Sequence, residues 1–293
     1  MLYILLPFYN RKKVTERLIL CLKRQTYKNF KILLIDDGSK DGTSEMATSH
    51  FPESAIIKGS GDWWWGGSLQ QGYNWLKRHE IETDDDILIV NDDVEFADDF
   101  LEIGIELLKK NKDSLFLAKS YSRIDNSLQD SGVRVDWSNL SFKMANSQKE
   151  INVLSTRGLF LKVRTFFKIG GFYPRLIPHY QSDYEFTHRA YLKGFTLRTS
   201  DSLFLLEDPN ETGIRTAEVR DIKDFIKVYF NKKSNYYLLS WVSFVILRCP
   251  WRWKVRNVIR ILLWPFPGLL RYFVQIRSVL HFLAAFVRKF KRH

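Results

Sequence analysis

The strongest constraint on the fold is a regular alternation of strand-like and helix-like segments along the first half of the chain. Short apolar runs alternate with longer segments whose apolar residues recur at helical spacing. The predicted strands are residues 2–6, 31–35, 87–90 and 115–118, and the predicted helices are residues 14–24, 41–50, 68–78, 100–110 and 182–193. This order predicts an α/β fold with a mostly parallel central sheet and helices on both faces.

The charge distribution divides the chain in two. Of the 45 Lys and Arg residues, 14 lie in residues 225–293, which contain no Asp or Glu; residues 1–224 therefore carry 31 basic and all 33 acidic groups. We predict an α/β domain over residues 1–218 and a helical, basic and aromatic C-terminal region over residues 219–293. The 45% of hydrophobic residues excludes a mainly disordered chain.

Polar clusters follow three of the predicted strands, where ligands of open α/β sheets bind. Phe8-Tyr9-Asn10 follows the first strand, Asp36-Asp37 the second and Asn91-Asp92-Asp93 the third. An Asp after the second strand could accept hydrogen bonds from a nucleoside. The alternative is an ordinary strand-to-helix loop, and the pattern leaves both open.

The third cluster has the chemistry of a cation site. Residues two apart in an extended chain point the same way, so Asn91 and Asp93 are expected to share a face. Two oxygen ligands suit Mg²⁺ or Mn²⁺, with diphosphate and water completing the shell. An acidic turn that caps the next helix is the alternative.

Three consecutive tryptophans stand in the segment 61–68. They cannot all face one core in a strand, because side chains alternate. Gly66 and Gly67 would let the backbone approach a ligand closely, and Ser68 is predicted to cap the following helix. Aromatic packing under a loop is the alternative.

Ser182-Asp183-Tyr184-Glu185 matches a capping box, with Ser182 as the cap and Glu185 at the third helical position. Asp183 would then lie in the first turn, where the helix field favours its ionised form. An ionised carboxylate can act as a general base, although a simple helix start explains the same spacing.

Taken in order, these segments resemble the GT-A-type, family-2-like glycosyltransferases, in particular the bacterial rhamnosyltransferase-like branch. The matching segments are residues 5–11, 25–27, 35–43, 64–68, 91–93, 170–172 and 183–189, with Gly194. The resemblance covers roughly residues 2–200 and implies a GT-A fold.

The resemblance also implies roles for individual residues. Asp183 is expected to be the catalytic base, and Asn91 and Asp93 to hold a divalent metal, Mg²⁺ or Mn²⁺. The expected nucleotide and donor contacts are Pro7, Tyr9, Asn10, Asp36, Asp37, Trp65, Gly66 and Asp92, and the expected acceptor-side residues are Gly171, His179 and Tyr180.

The implied reaction is inverting transfer of a sugar, from dTDP-rhamnose or a UDP-sugar, to a hydroxyl of a glycan or lipid-linked acceptor in cell-surface polysaccharide synthesis. The sequence departs from the family pattern at two positions. Asn91 replaces the first acid of the D-x-D motif, and Ser182 stands where the family has an acid beside the base.

The C-terminal region has the composition of helices that lie on an anionic membrane. Val255, Val258, Ile259 and Leu262 fall on one helical face with basic residues between them, and residues 276–283 repeat the pattern. A subdomain packed on the body or a dimer interface is the alternative. The start of the chain lacks a signal peptide and the two cysteines fit a reducing compartment, so we expect a cytoplasmic protein, peripheral on the inner face of the cell membrane.

Three other functions are compatible with parts of the sequence. The basic, aromatic tail is also typical of nucleic-acid-binding proteins, although the slightly acidic body would repel phosphate, and no nucleic-acid partner is expected. A nucleotidyltransferase could use the same acidic motif. A catalytically inactive member of the family is the third alternative, because Asn91 replaces the first acid of the metal motif.

Overall fold

The computed structural model describes residues 1–111, 113–208 and 221–266. Its internal contacts divide the chain into two compact units, Met1–Thr212 and Gly213–His293. Each unit is described by itself. The predicted domain boundary after residue 218 lies outside the described residues and stays a prediction.

The first unit alternates strands and helices, as the sequence predicts. Its strands β1 to β11 are Leu2–Phe8, Phe30–Asp36, Ala55–Lys58, Asp86–Ile89, Val94–Glu95, Ser114–Ser122, Leu128–Asp130, Val133–Asp136, Ser141–Met144, Leu159–Lys162 and Thr196–Glu207. Its helices α1 to α6 are Lys12–Arg24, Thr43–His50, Trp64–Arg78, Phe100–Lys110, Val163–Ile169 and Ser182–Leu192.

The central sheet has the order β3-β2-β1-β4-β10-β6-β11-β5, with β7 paired to β6. Strands β1 to β4, β6 and β11 run in one direction. Strand β10 lies antiparallel between β4 and β6, and β5 and β7 also run against their neighbours. The sheet is therefore mostly parallel, as predicted, with an antiparallel strand inserted at its centre. Strands β8 and β9 form a separate hairpin.

Helices cover both faces of this sheet because successive strand residues point to opposite sides. In β1, Leu2, Ile4 and Leu6 pack with helices α1, α2 and α4. Tyr3 and Leu5 pack on the other face with helices α3, α5 and α6. The predicted α/β architecture with two helical layers is confirmed.

Several element boundaries differ from the sequence predictions by a few residues, and two of the differences bear on the site. Strand β1 continues through Pro7, which pairs with Ile35 instead of ending the strand. Pro7 faces the same side as Leu5, beyond the last residue pair of β1 with β4, so its missing N–H removes no hydrogen bond from the sheet. Helix α3 begins at Trp64, and the predicted cap at Ser68 is wrong, since Ser68 lies buried inside the helix.

The described part of the second unit is helical. It contains α7 (Ile222–Tyr229), α8 (Leu238–Arg248) and α9 (Trp251–Leu263). Among the described residues, no helix combines the length and the hydropathy needed to cross a bilayer. The predicted second amphipathic repeat at residues 276–283 lies outside the described residues.

Candidate functional site

A cleft of about 120 Å³ opens at the edge of the sheet where the parallel strands end. The residues that line it come from four parts of the chain and are Trp65, Asn91, Ser155, Thr156, Arg157, His179, Tyr180 and Asp183. Five of these residues were predicted from the sequence. The structure therefore brings the expected base, one expected metal ligand and both aromatic acceptor-side residues to a single cavity.

Asp183 is the second residue of α6, and its Oδ1 accepts the backbone N–H of Tyr184 at 2.9 Å. Burial raises the pKa of this carboxyl to about 6, and the charge of Asp130 adds to the increase, while Arg157 opposes it. A carboxyl with this pKa is mostly ionised at neutral pH and is a stronger base than an ordinary Asp. The site thus offers a proton acceptor suited to neutral pH.

The predicted capping box before Asp183 does not form. The residue that caps α6 is Gln181, in the left-handed region at φ +67°, while the Ser182 hydroxyl donates back to the His179 carbonyl at 2.6 Å. Glu185 instead receives a hydrogen bond from the buried Arg189 at 3.0 Å. The turn closed by the bond from Ser182 to His179 keeps His179 close to Asp183, and both residues line the cleft.

Asn91, Asp92 and Asp93 have different surroundings in the structure. Asn91 lines the cleft, whereas the two carboxylates face Arg11, whose Nη1 lies 2.9 Å from Asp92 Oδ1 and 3.3 Å from Asp93 Oδ2. Asp92 also accepts the Thr15 hydroxyl at 3.2 Å. Asp92, predicted as a donor contact, is therefore bonded to the chain itself, and Arg11 is a site residue that the sequence analysis missed.

One oxygen of this cluster fits a cation. Asp93 Oδ1 is buried and has no hydrogen-bond partner, which is costly for a carboxylate oxygen. A divalent ion of oxygen preference would satisfy it. The described residues contain no group of three or more His, Cys, Asp or Glu arranged around a metal position, so any ion here would need phosphate and water oxygens as well.

The acidic pair after β2 organises loops. Asp37 accepts the backbone N–H groups of Gly61, Trp63 and Trp64 at 3.0–3.1 Å. Asp36 accepts the N–H of Ser39 at 2.7 Å and the hydroxyl of Ser44. Both carboxylates are buried, and every oxygen has a partner within the chain. In this structure their immediate effect is to hold the tryptophan loop against the end of β2.

The end of β1 combines a fixed backbone with an exposed ring. Asn10 is bonded through its N–H to Ser39 and through its Oδ1 to the N–H of Lys40, at 3.0 and 2.7 Å. Tyr9 is 47% exposed, and its ring lies beside Gly61. Pro7 stays within the buried strand. Of these three predicted donor contacts, Tyr9 is the one that presents an open aromatic face.

The two glycines predicted as ligand contacts allow close packing. The Gly66 N–H donates to the Pro178 carbonyl at 2.8 Å, and a Cβ on Gly66 would lie 2.7 Å from the Ile177 carbonyl oxygen. A Cβ on Gly171 would lie 2.2 Å from Gln70 Oε1. Neither glycine lines the cleft. Their small size instead lets α3 approach the segments that carry His179 and α6.

The backbone strain in the tryptophan segment is located at Trp64. This residue has φ +57°, a conformation that bulky side chains rarely adopt, and its N–H is held by Asp37. The neighbouring Trp65 donates its indole N–H to the Thr156 hydroxyl at 3.0 Å across the cleft wall. The motif therefore positions aromatic rings at the cleft, as the sequence suggested, but through Asp37.

Three cleft residues, Ser155, Thr156 and Arg157, were not predicted from the sequence, and Arg157 is the charged one among them. Its guanidinium pairs with the buried Glu207, which also accepts the Ser120 hydroxyl at 3.1 Å, while its buried Nε has no hydrogen-bond partner. Arg157 precedes β10, which is antiparallel to β4, so the start of β10 lies at the edge where β4 ends. Arg157 lies before a strand and not after one, so the pattern of polar residues after parallel strands does not include it. The sequence signal is a cation two residues before the apolar strand β10.

The comparisons with known proteins agree with this architecture. The family model described as Glycosyl transferase family 2 matches residues 3–166, more than half of the chain. The chain therefore belongs to glycosyltransferase family 2. A search of curated protein sequences finds no match.

Solved glycosyltransferase structures share the fold. S. aureus TarS is similar with a TM-score of 0.56 and 18% identity over 93% of this chain and 43% of TarS. A mannosyltransferase from Pyrobaculum calidifontis, solved with GDP-Man and Mn²⁺, has a TM-score of 0.57 and 14% identity over 95% of this chain and 80% of its own. GalNAc-T7, solved with UDP, GalNAc and Mn²⁺, has a TM-score of 0.59 and 12% identity over 81% of this chain and 50% of its own. The chain thus has the GT-A fold and spans less than half of the TarS chain.

Proposed function

We propose that the protein is an inverting glycosyltransferase that moves a sugar from a nucleoside-diphosphate sugar to a hydroxyl of a glycan or lipid-linked acceptor. The observation that carries the proposal is the cleft itself, in which Asp183 and Asn91 line one cavity although they lie far apart in the sequence. The family membership and the neighbours solved with UDP-GlcNAc or GDP-Man support a nucleotide-sugar donor.

Asp183 removes the proton of the acceptor hydroxyl in this proposal. The hydroxyl oxygen forms a bond to the anomeric carbon while the bond from that carbon to the diphosphate oxygen breaks, and the proton remains on Asp183. One displacement inverts the anomeric configuration, so a single carboxylate is sufficient. General base assistance of this kind typically contributes roughly 10²–10⁴-fold in rate.

Negative charge develops on the departing diphosphate and requires positive charge nearby. Asn91 and Asp93 are the residues that would hold a divalent ion, Mg²⁺ or Mn²⁺, and the unpaired Asp93 Oδ1 supports that assignment. When bound, the ion would supply electrostatic stabilisation of the leaving group. Two neighbours solved with Mn²⁺ make a metal-dependent reaction the natural proposal.

Arg157 contributes a second positive charge. Its side chain lines the cleft together with Asn91 and Asp183, and the pair with Glu207 restricts where the guanidinium can lie. A held guanidinium can bond two phosphate oxygens in its plane. We therefore assign Arg157 to the donor diphosphate, which would compensate for Asn91, an uncharged residue at the first position of the metal motif.

The aromatic residues of the cleft suit sugar rings. Trp65, His179 and Tyr180 line the wall next to Asp183, and the rings of Trp64 and His179 lie 5.9 Å apart. Aromatic faces bind the apolar faces of sugars, while the few polar groups fix their orientation. His179 and Tyr180 on this wall form the proposed acceptor side, and Trp65 stays among the proposed donor contacts. The finer assignment of dTDP-rhamnose or a UDP-sugar as the donor, in cell-surface polysaccharide synthesis, remains part of the proposal.

The decisive experiment is a panel of nucleotide sugars incubated with the purified full chain, Mn²⁺ or Mg²⁺, and glycan acceptors. The proposal expects release of a nucleoside diphosphate and a product whose anomeric configuration, read by NMR, is opposite to that of the donor. Release of pyrophosphate would identify a nucleotidyltransferase instead. Retention of configuration would exclude the single displacement at Asp183.

A further inference from the structure

Helix α9 in the second unit carries apolar side chains on two faces. Its inner face is buried at Asn257 and Ile261. On another face Trp251, Val255, Ile259 and Leu262 are 80%, 60%, 52% and 50% exposed. We call these four residues the apolar stripe. A surface helix normally has one apolar face, so a second one marks a surface that binds something.

The stripe is regular along the helix. Its residues follow the i, i+4, i+8 and i+11 spacing of a single helical face. The sequence pattern alone placed Val258 in this face, whereas Val258 is half-buried and Trp251 extends the stripe to the start of the helix. An indole this exposed is unfavourable in water and is typical of membrane interfaces.

Cations flank the stripe on both sides. At 3.6 residues per turn, Arg252 and Arg256 fall on one flank and Lys254 on the other. The guanidinium of Arg252 lies 4.7 Å from the Trp253 ring centre, and the Lys254 ammonium lies 5.9 Å from that of Trp251. These contacts hold the charges beside the aromatic rings, so the exposed face is apolar along its axis and positive along its edges.

We infer that the apolar stripe of α9 docks the protein on an anionic lipid surface, with the helix lying in the headgroup layer. The stripe would enter the upper acyl region while the flanking cations contact lipid phosphates, which is the arrangement that such amphipathic helices adopt. This inference concerns the second unit alone and does not depend on the reaction at the cleft.

Charge favours lipid over other ways of covering the stripe. Residues 225–266 contain eight Lys and Arg and no Asp or Glu, and residues 267–293 add six more basic residues and again no acid. A second copy of this helix, or the end of the chain folded over it, would bring like charges together. An anionic bilayer supplies both the apolar layer and the opposite charge.

The experiment is vesicle sedimentation with the purified full chain. Phosphatidylcholine vesicles are compared with phosphatidylcholine–phosphatidylglycerol vesicles at low and high salt. We expect binding to the anionic vesicles that weakens with salt, and weak binding to the neutral ones. Replacing Trp251→Gln, Val255→Gln and Ile259→Gln together should lower the partition coefficient by at least about tenfold, because three exposed apolar side chains are lost.

Two further variants separate the contributions. Arg252→Gln with Arg256→Gln should lower binding to anionic vesicles by roughly fivefold per charge and reduce its salt dependence, with little change on neutral vesicles. The control replaces three exposed apolar residues of the first unit, Ile124→Gln, Leu128→Gln and Met144→Gln. The control should bind vesicles like the wild type. Thermal unfolding of each variant establishes that the fold is kept.

Several outcomes would overturn the inference. Equal vesicle binding by the wild type and the stripe variant would show that α9 is not the docking surface. Failure of the wild type to bind anionic vesicles would do the same. Light scattering that finds a wild-type dimer, converted to a monomer by the stripe variant, would instead assign the stripe to a second copy of the chain.

Discussion

Acidic residues stand at the end of β2 and after β4, at the same edge of the sheet, and the structure uses them in different ways. Asp36 bonds to the following loop and to Ser44 of α2, Asp37 bonds to the tryptophan segment, and every oxygen of the two carboxylates has a partner. Asp92 and Asp93 pair with Arg11, and Asp93 keeps one buried oxygen without a partner. The comparison teaches that two similar sequence motifs can be, respectively, a scaffold and a binding group.

A third carboxylate, Asp183, is the proposed catalytic base, and replacing it should have the largest effect on the rate. Asp183→Asn should lower kcat by about 10²–10⁴-fold, because the amide cannot accept the proton, while donor binding stays near that of the wild type. Single-turnover kinetics and calorimetry with the donor measure the two quantities. Asp99→Asn, at an exposed helix start, is the control. Near-normal turnover of Asp183→Asn would remove it from the mechanism.

Asp37 has a structural role, since it holds the tryptophan segment. Asp37→Ala leaves three backbone N–H groups without their acceptor, so the free energy of unfolding should fall by about 3 kcal/mol. Donor affinity should fall with it, since the tryptophan loop loses its anchor. Urea denaturation followed by tryptophan fluorescence measures the change. An unchanged unfolding midpoint combined with lost donor binding would mean that Asp37 is a direct ligand rather than a scaffold.

Replacing Asp93 should affect donor binding more than it affects stability. Asp93→Ala should weaken Mn²⁺-dependent donor binding by at least about tenfold, while the free energy of unfolding changes less than in Asp37→Ala. The reason is that Arg11 still pairs with Asp92 after the substitution. Calorimetry with the donor, with Mn²⁺ and with EDTA, provides the measurement. Identical donor affinity under all conditions would assign Asp93 to structure alone.

The smallest predicted effect is a shift in pH dependence. With burial raising the pKa of Asp183 to about 6, kcat/KM should be flat above that pH and fall roughly tenfold per unit below it, as the base becomes protonated. Arg157 lowers this pKa, so Arg157→Gln should move the acidic limb upward. Asp130 raises it, so Asp130→Asn should move the limb downward. A pH profile of kcat/KM that neither substitution shifts would contradict the assignment of Asp183 as the base.

The parts of the fold that could be predicted are those whose cause is local. The alternation of apolar runs and helical spacing was enough for β1, β2, β4 and the helices beside them. The short strand β5 was missed because two residues carry no periodicity. The twelve residues of β11 mix apolar, polar and charged side chains, and their pairing with β6 shifts register within the strand, so no simple pattern marks them.

Asn91 could be predicted because it follows a parallel strand, whereas Asp183 was expected from the family resemblance, since the capping box that pointed to it does not form. Arg11 and Arg157 were missed because their roles arise from partners distant in sequence. Arg11 meets Asp92 across 81 positions, and Arg157 meets Glu207 across 50. No spacing rule within a segment records such pairs.

The sequence by itself determined the class of fold, the family and the residue types available for the reaction. The reason is that periodicity, turn chemistry and motif order are local properties of the sequence. Only the tertiary structure decided which carboxylates are scaffold and which face the cleft. It also decided that an antiparallel strand would bring Arg157 beside Asp183. The physical reason is that the role of a carboxylate depends on its burial and its hydrogen-bond partners, and both are fixed only when distant segments of the chain pack together.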